Sequence, residues 1–238
     1  MRVGRFGILS GALALVLFAL PGVAMAVITA DTDGSPVFKQ TADDPCIIGD
    51  PSCNQGGFVF TSRTSPASGG IYTLYTPVYD ATTLTGVAAP SDIPSTFTIG
   101  IDENLATGQG SEILQFFNTY VATGATCTEG TAAGAGDINT GPAGCTLTLD
   151  PANSFTGPLV IPNNNNGVGF TDMLLLGFSL DPTKLYVFQM GWTNDTDGME
   201  EVFIIPAGTP VVPEPGTLLL LGSGLVGLAA LARKKLHR

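Results

Sequence analysis

From about residue 57 to residue 205 the chain alternates between short apolar segments rich in Val, Ile, Thr, Tyr and Phe and clusters of Gly, Pro, Asn and Asp. The clearest segment is Lys184 to Thr193, where Tyr186, Phe188, Met190 and Trp192 fall on one face and Leu185, Val187, Gln189 and Gly191 on the other. That period of two predicts a strand. Phe97, Ile99 and Ile101 alternate with Thr96, Thr98 and Gly100 in the same way. Gly57 to Thr64, Ile71 to Tyr79, Gly144 to Leu149, Phe155 to Ile161 and Glu201 to Ile205 read as further strands, and Asn163 to Gly167 as a turn tip. Two segments are ambiguous. Ile113, Phe116, Phe117 and Tyr120 fit helical spacing, with Ser111 as a cap and Gly124 as a stop, so one short helix is expected to interrupt the sheets. Met173 to Leu176 fits either a helical turn or a buried strand. Seven to nine strands without an internal repeat predict a mainly β, two-sheet sandwich of jelly-roll type.

Composition changes the picture at the two ends. Only 12% of the 238 residues are charged, the net charge is −11, and the basic residues gather at the termini. Between residues 27 and 212 three basic residues stand against nineteen acidic ones. Such a body repels nucleic acid and anionic lipid, which need clustered Lys and Arg. Arg2 and Arg5 precede an apolar run from Gly7 to Leu20; Pro21 and Gly22 break it, and Ala24 and Ala26 are the small residues of a cleavage site. This is the pattern of a secretory signal helix over 1–26, too short to span a bilayer core of about 30 Å. At the other end an apolar stretch over 216–232 is followed by Arg233, Lys234, Lys235 and Arg238. It predicts a minimal transmembrane helix with its basic tail on the cytoplasmic side. The four cysteines, Cys46, Cys53, Cys127 and Cys145, all lie in the exported part, where an even number favours disulfides. Three connectivities are open, and local pairing of 46 with 53 and 127 with 145 is the favoured one, since each pair lies in turn-rich sequence.

Little catalytic chemistry is legible. The one histidine, His237, belongs to the basic tail, so the body has no imidazole base. Gly177 to Asp181 resembles a nucleophile elbow but lacks the last glycine and a histidine partner, and reads as a strand end. The carboxylate pairs Asp102 with Glu103 and Glu200 with Glu201 are neighbours in sequence, and neighbours in a strand point to opposite faces, so neither pair forms a glycosidase dyad. The expectation is a protein without enzymatic activity or obligatory cofactor. Asp195, Asp197, Glu200 and Glu201 form a candidate calcium site, although Met199 stands where an EF-hand would place a third ligand. Gly222-Ser223-Gly224-Leu225-Val226-Gly227 matches a dinucleotide fingerprint in letters but lies inside the apolar tail, where small residues permit close helix packing. Tyr72, Tyr75, Tyr79 and Trp192 are read as core aromatics before a sugar platform.

Pro213-Glu214-Pro215, the Gly/Leu-rich stretch and the short Arg/Lys tail, in that order, resemble the PEP-CTERM sorting signal of Gram-negative bacteria. The resemblance divides the chain into a signal peptide (1–26), an exported passenger (27–210) and a sorting signal (211–238). It implies that exosortase, a membrane-embedded cysteine protease-like transpeptidase, recognises Pro213, Glu214 and Pro215 and cuts near them. It further implies that 216–232 is a temporary anchor in inner-membrane lipid, and that the passenger passes to the envelope or the extracellular polysaccharide of a biofilm. A calcium-dependent carbohydrate-binding module is the alternative for the passenger, and a glycoside hydrolase a more distant one.

Overall fold

The computed structural model describes residues 28–33, 37–41, 44–49, 57–62, 71–82, 91–103, 112–134, 139–163, 169–193, 200–209 and 223. In chain order the strands are β1 Thr29–Asp31, β2 Cys46–Gly49, β3 Thr61–Ser62, β4 Tyr72–Tyr75, β5 Tyr79–Thr82, β6 Asp92–Pro94, β7 Thr96–Asp102, β8 Ile113–Thr123, β9 Thr146–Leu149, β10 Phe155–Val160, β11 Met173–Ser179, β12 Leu185–Thr193 and β13 Glu201–Pro206. One sheet runs β1-β11-β7-β13-β2-β3 and the other β10-β8-β12-β5-β6, with β4 also on β12 and β9 also on β8. The mainly β, two-sheet expectation is observed. The strands outnumber the expected seven to nine, and β2 with β3 and β5 with β6 pair in parallel, unlike an all-antiparallel jelly roll.

The inward face of β12 is the predicted one: Tyr186, Phe188, Met190 and Trp192 are all buried in the main core. Opposite them, β7 contributes Phe97, Ile99 and Ile101, and β11 contributes Met173, Leu175 and Phe178. Four rings join the sheets. Phe97 stacks on Phe178 at 5.0 Å, and meets Phe188 edge-on at 5.9 Å. Phe117 meets Phe178 edge-on at 5.5 Å and Phe188 at the same distance. Such offset and edge contacts add to simple burial of the rings.

The expected helix at 113–120 is instead the eleven-residue strand β8, and the reason is a bulge. Trp192 faces Leu114 and Gly191 faces Phe116, so Gln115 is an extra residue on β8. The bulge reverses the inward and outward parity, placing Leu114 and Phe117 together in the core at a spacing of three that imitates a helix. Phe116 points outward over Gly191, where a Cβ would lie 2.4 Å from the ring, so this position requires glycine. Met173 to Leu176 resolves as strand. The predicted strand 71–79 splits in two at Pro77, which has no N–H. The Thr76 hydroxyl accepts the Phe188 N–H there at 3.0 Å, and keeps that backbone group satisfied. From the segment 57–64, the described strand is Thr61–Ser62 alone.

Each sheet also carries a small apolar cluster on its outer face. On the first, Cys46, Leu174, Phe203 and Ile205 pack together. On the second, Val78, Ala122, Cys127 and Val187 do so beneath a loop closed by the Cys127–Cys145 disulfide. Cys46 is disulfide-bonded as well, and Cys53 lies outside the described residues. The signal segment 1–26 and the stretch 216–232 also lie outside them, except for Ser223, which is helical and exposed. Among the described residues no helix is long and apolar enough to cross a membrane.

Candidate functional site

Antiparallel pairing brings one end of each of β11, β7 and β13 together, and each strand carries a carboxylate there. Asp102 closes β7, Glu201 opens β13 as its cross-strand partner, and Asp172 immediately precedes β11. Glu103 follows Asp102. All four are buried, between 2% and 4% exposed. Backbone N–H groups hold them in place: Gly169 donates to Asp102 Oδ2 at 2.5 Å, Glu103 to Asp172 Oδ2 at 2.9 Å, and Glu112 to Glu103 Oε1 at 2.6 Å. Gly169, at φ +79°, lies so close that a Cβ would stand 3.3 Å from Glu201 Oε2. Asp172 also acts on the Asp102 side chain, in the direction that favours its protonated form.

Burial dominates the electrostatics of this end, because removing a carboxylate from water disfavours its charged form. The Asp102 carboxyl is pushed up to about 8 by burial, with the charges of Asp172 and Glu201 acting in the same direction and the Gly169 N–H opposing them. Glu103 is pushed up to about 7 by burial, reinforced by Asp172 and opposed by the Glu112 N–H. By contrast, exposed Asp181 is drawn down to about 2 by hydrogen bonds from Thr183 and Lys184, so the nucleophile-elbow segment ends in an ordinary charged turn.

A second acidic group forms where β5 and β6 pair in parallel. Asp80 and Asp92 are register partners, and Glu129 reaches them from the loop that the Cys127–Cys145 disulfide closes. One oxygen from each lies within 4.8 Å of the others. Ser91 Oγ donates to Glu129, and the Asp92 carboxyl is raised by burial and by the charges of Glu129 and Asp80. Neither acidic group is a sequence motif. Their members stand 12 to 99 residues apart apart from the Asp102–Glu103 pair, and only strand pairing unites them.

The sequence-derived calcium set divides: Glu200 and Glu201 are buried, and Asp195 and Asp197 lie outside the described residues. The signal residues Ala24 and Ala26, the motif Pro213, Glu214 and Pro215, and the basic tail Arg233, Lys234, Lys235 and Arg238 also lie outside them. Tyr72, Tyr79 and Trp192 are core residues, as read. Tyr75 differs: it lies partly exposed on the outer face of the second sheet, 6.2 Å from the ring of Tyr120. Beside them Gln189 Oε1 accepts from Tyr120 Oη at 2.7 Å and from Asn118 Nδ2 at 3.0 Å.

An acid held above its unfolded value stabilises the fold while it is protonated. This stability is complete below about pH 4 and is lost as pH rises through the folded values near 7 and 8. In the presence of a chelator, the melting temperature is therefore expected to fall as pH rises from about 4.5 to 8. Asp102→Asn is expected to make that fall shallower, and a calorimetric series across pH checks it; a profile that does not change in the variant contradicts the assignment.

Comparison with curated proteins and with solved structures returns no match. A family model does match, the PEP-CTERM protein-sorting motif, over residues 211–235. This stretch holds Pro213-Glu214-Pro215, the apolar run and the first basic residues of the tail. The protein therefore carries a PEP-CTERM sorting motif at its C-terminal end, the mark of an exported protein sorted by exosortase.

Proposed function

We propose that the passenger is a non-enzymatic structural or adhesive protein of the cell envelope or extracellular polysaccharide. It is held briefly in the inner membrane by 216–232 and freed by cleavage near Pro213 to Pro215. The observation that carries this reading is the sorting motif at 211–235, which follows within a few residues of the last core strand, β13. The apolar run and basic flank behind the motif supply what a temporary membrane stop needs. A body without histidine, with the carboxylates at the β7–β11–β13 end buried rather than facing open solvent, supports a role without catalysis. Two tags on one chain test the reading. A tag placed within the passenger is expected to leave the inner membrane while a tag after Arg238 remains, and Glu214→Ala is expected to retain both. Joint retention of both tags in cells with active exosortase contradicts it.

A second reading, a calcium-dependent carbohydrate-binding module, is favoured by two observations. Asp80, Asp92 and Glu129 offer a compact all-oxygen set, the ligand type that calcium takes. The outer face of the second sheet presents Tyr75 and Tyr120 beside the Asn118 and Gln189 amides, a combination that stacks on and hydrogen-bonds to sugars. On this reading the protein is retained on immobilised polysaccharide in calcium and eluted by chelator, and Glu129→Gln abolishes the retention. Retention that is indifferent to calcium removes the reading.

A further inference from the structure

We infer that the outer face of the second sheet binds a neutral, ribbon-like polysaccharide of β-linked hexoses, with Phe116, Tyr120 and Tyr75 stacking on its rings and the Asn118 and Gln189 amides bonding its hydroxyls. The inference rests on the carbohydrate-binding reading of this face and names the ligand class. The bulge at Gln115 sets the face, turning Phe116, Asn118 and Tyr120 of β8 outward while Phe117 and Thr119 are buried. Alternate residues of a strand stand about 7 Å apart, so these three span about 14 Å, long enough for successive rings of a polymer. Register completes the surface. Tyr75 and Asn118 flank Gln189 on its two sides, and Leu149 is the cross-strand partner of Tyr120. Gly191 has no side chain, and the ring of Phe116 rests over it.

A separate observation points to a ligand. Gln189 is only 8% exposed, and its Oε1 is taken by Tyr120 and Asn118. Among the described residues, no group accepts from Gln189 Nε2 or donates to Asn118 Oδ1, and neither atom is sealed from solvent. A donor and an acceptor therefore stand free between the rings, and a sugar hydroxyl serves both. Apolar surface surrounds them: of the large apolar side chains that stay exposed among the described residues, Leu149 faces Tyr120 and Val160 faces Ile113. Exposed apolar groups around unpaired amides suit a ligand that has flat C–H faces and hydroxyl edges. The backbone of Tyr75 is held by Asn139, whose Oδ1 accepts its N–H at 2.6 Å and whose Nδ2 donates to its carbonyl at 2.9 Å, from within the loop that the Cys127–Cys145 disulfide closes. Charge selects the polymer. None of these face residues is charged, and a passenger with three basic residues against nineteen acidic ones repels a polyuronate. Equatorial linkages keep a hexose chain extended and its C–H faces flat, which matches a row of rings and amides along one strand.

The full chain, purified in a detergent without a sugar headgroup, is passed over immobilised neutral β-glucan and over immobilised polygalacturonate, in calcium and in chelator. Retention on the glucan is expected, and Phe116→Ala and Tyr75→Ala are each expected to weaken it about tenfold. Should Phe116→Ala fail to fold, as its melting curve would show, Tyr75→Ala decides. Glucan retention that persists in chelator supports the inference and removes the calcium requirement of the carbohydrate-binding reading. Retention on polygalacturonate alone overturns the inference and leaves that reading standing, whereas retention on neither polymer overturns both. Glucan retention that both variants leave intact also overturns the inference. So does occupation of the face by a second copy of the chain, seen as concentration-dependent association in sedimentation that the same variants abolish.

Discussion

Closure of the two sheets on one seam of four phenylalanine rings is the contact on which the remainder depends. Phe97 and Phe178 come from the first sheet, Phe117 and Phe188 from the second, and each ring touches at least two of the others. Removing one such ring from a packed core costs about 3–5 kcal/mol, a large part of the stability of an ordinary domain. The seam also fixes position. With the sheets held together in this way, antiparallel pairing within the first sheet sets the ends of β7, β11 and β13 side by side, where their carboxylates meet.

Two physical demands oppose each other in this body. Solubility and export favour an acidic surface, and the passenger has far more acids than bases. Folding, however, buries several of those acids, and an uncompensated buried charge is destabilising. Backbone N–H groups from Gly169, Glu103 and Glu112, with the raised affinity of Asp102 and Glu103 for a proton, reconcile the two demands. At the β5–β6 end the disulfide between Cys127 and Cys145 closes the loop that brings Glu129 to Asp80 and Asp92. A cross-link of that span stabilises by about 3 kcal/mol in the chain-entropy account.

The period-two strands were legible because burial on one face leaves a direct mark on sequence, as in Tyr186 to Trp192. Residues 113–120 misled because a single extra residue, Gln115, converts strand spacing into helical spacing, and a bulge is a property of two paired strands rather than of one segment. Pro77 was visible as a letter, but the hydroxyl of Thr76 that bridges the break was not. The acidic ends escaped for the same reason as the bulge: Asp102 was weighed against Glu103, its neighbour in sequence, whereas its structural companions are Glu201 and Asp172 on the adjoining strands. The sorting motif needed no structure at all, since it is a linear pattern of residues.

Among the described residues the core runs from Ile28 to Ile205, between residues 1–26 and the sorting motif at 211–235. Intact mass measurement of the protein recovered outside the inner membrane tests this division most directly. The account predicts one species that begins at Val27 and ends in the neighbourhood of Pro213 to Pro215. A recovered chain that still extends to Arg238 would contradict it.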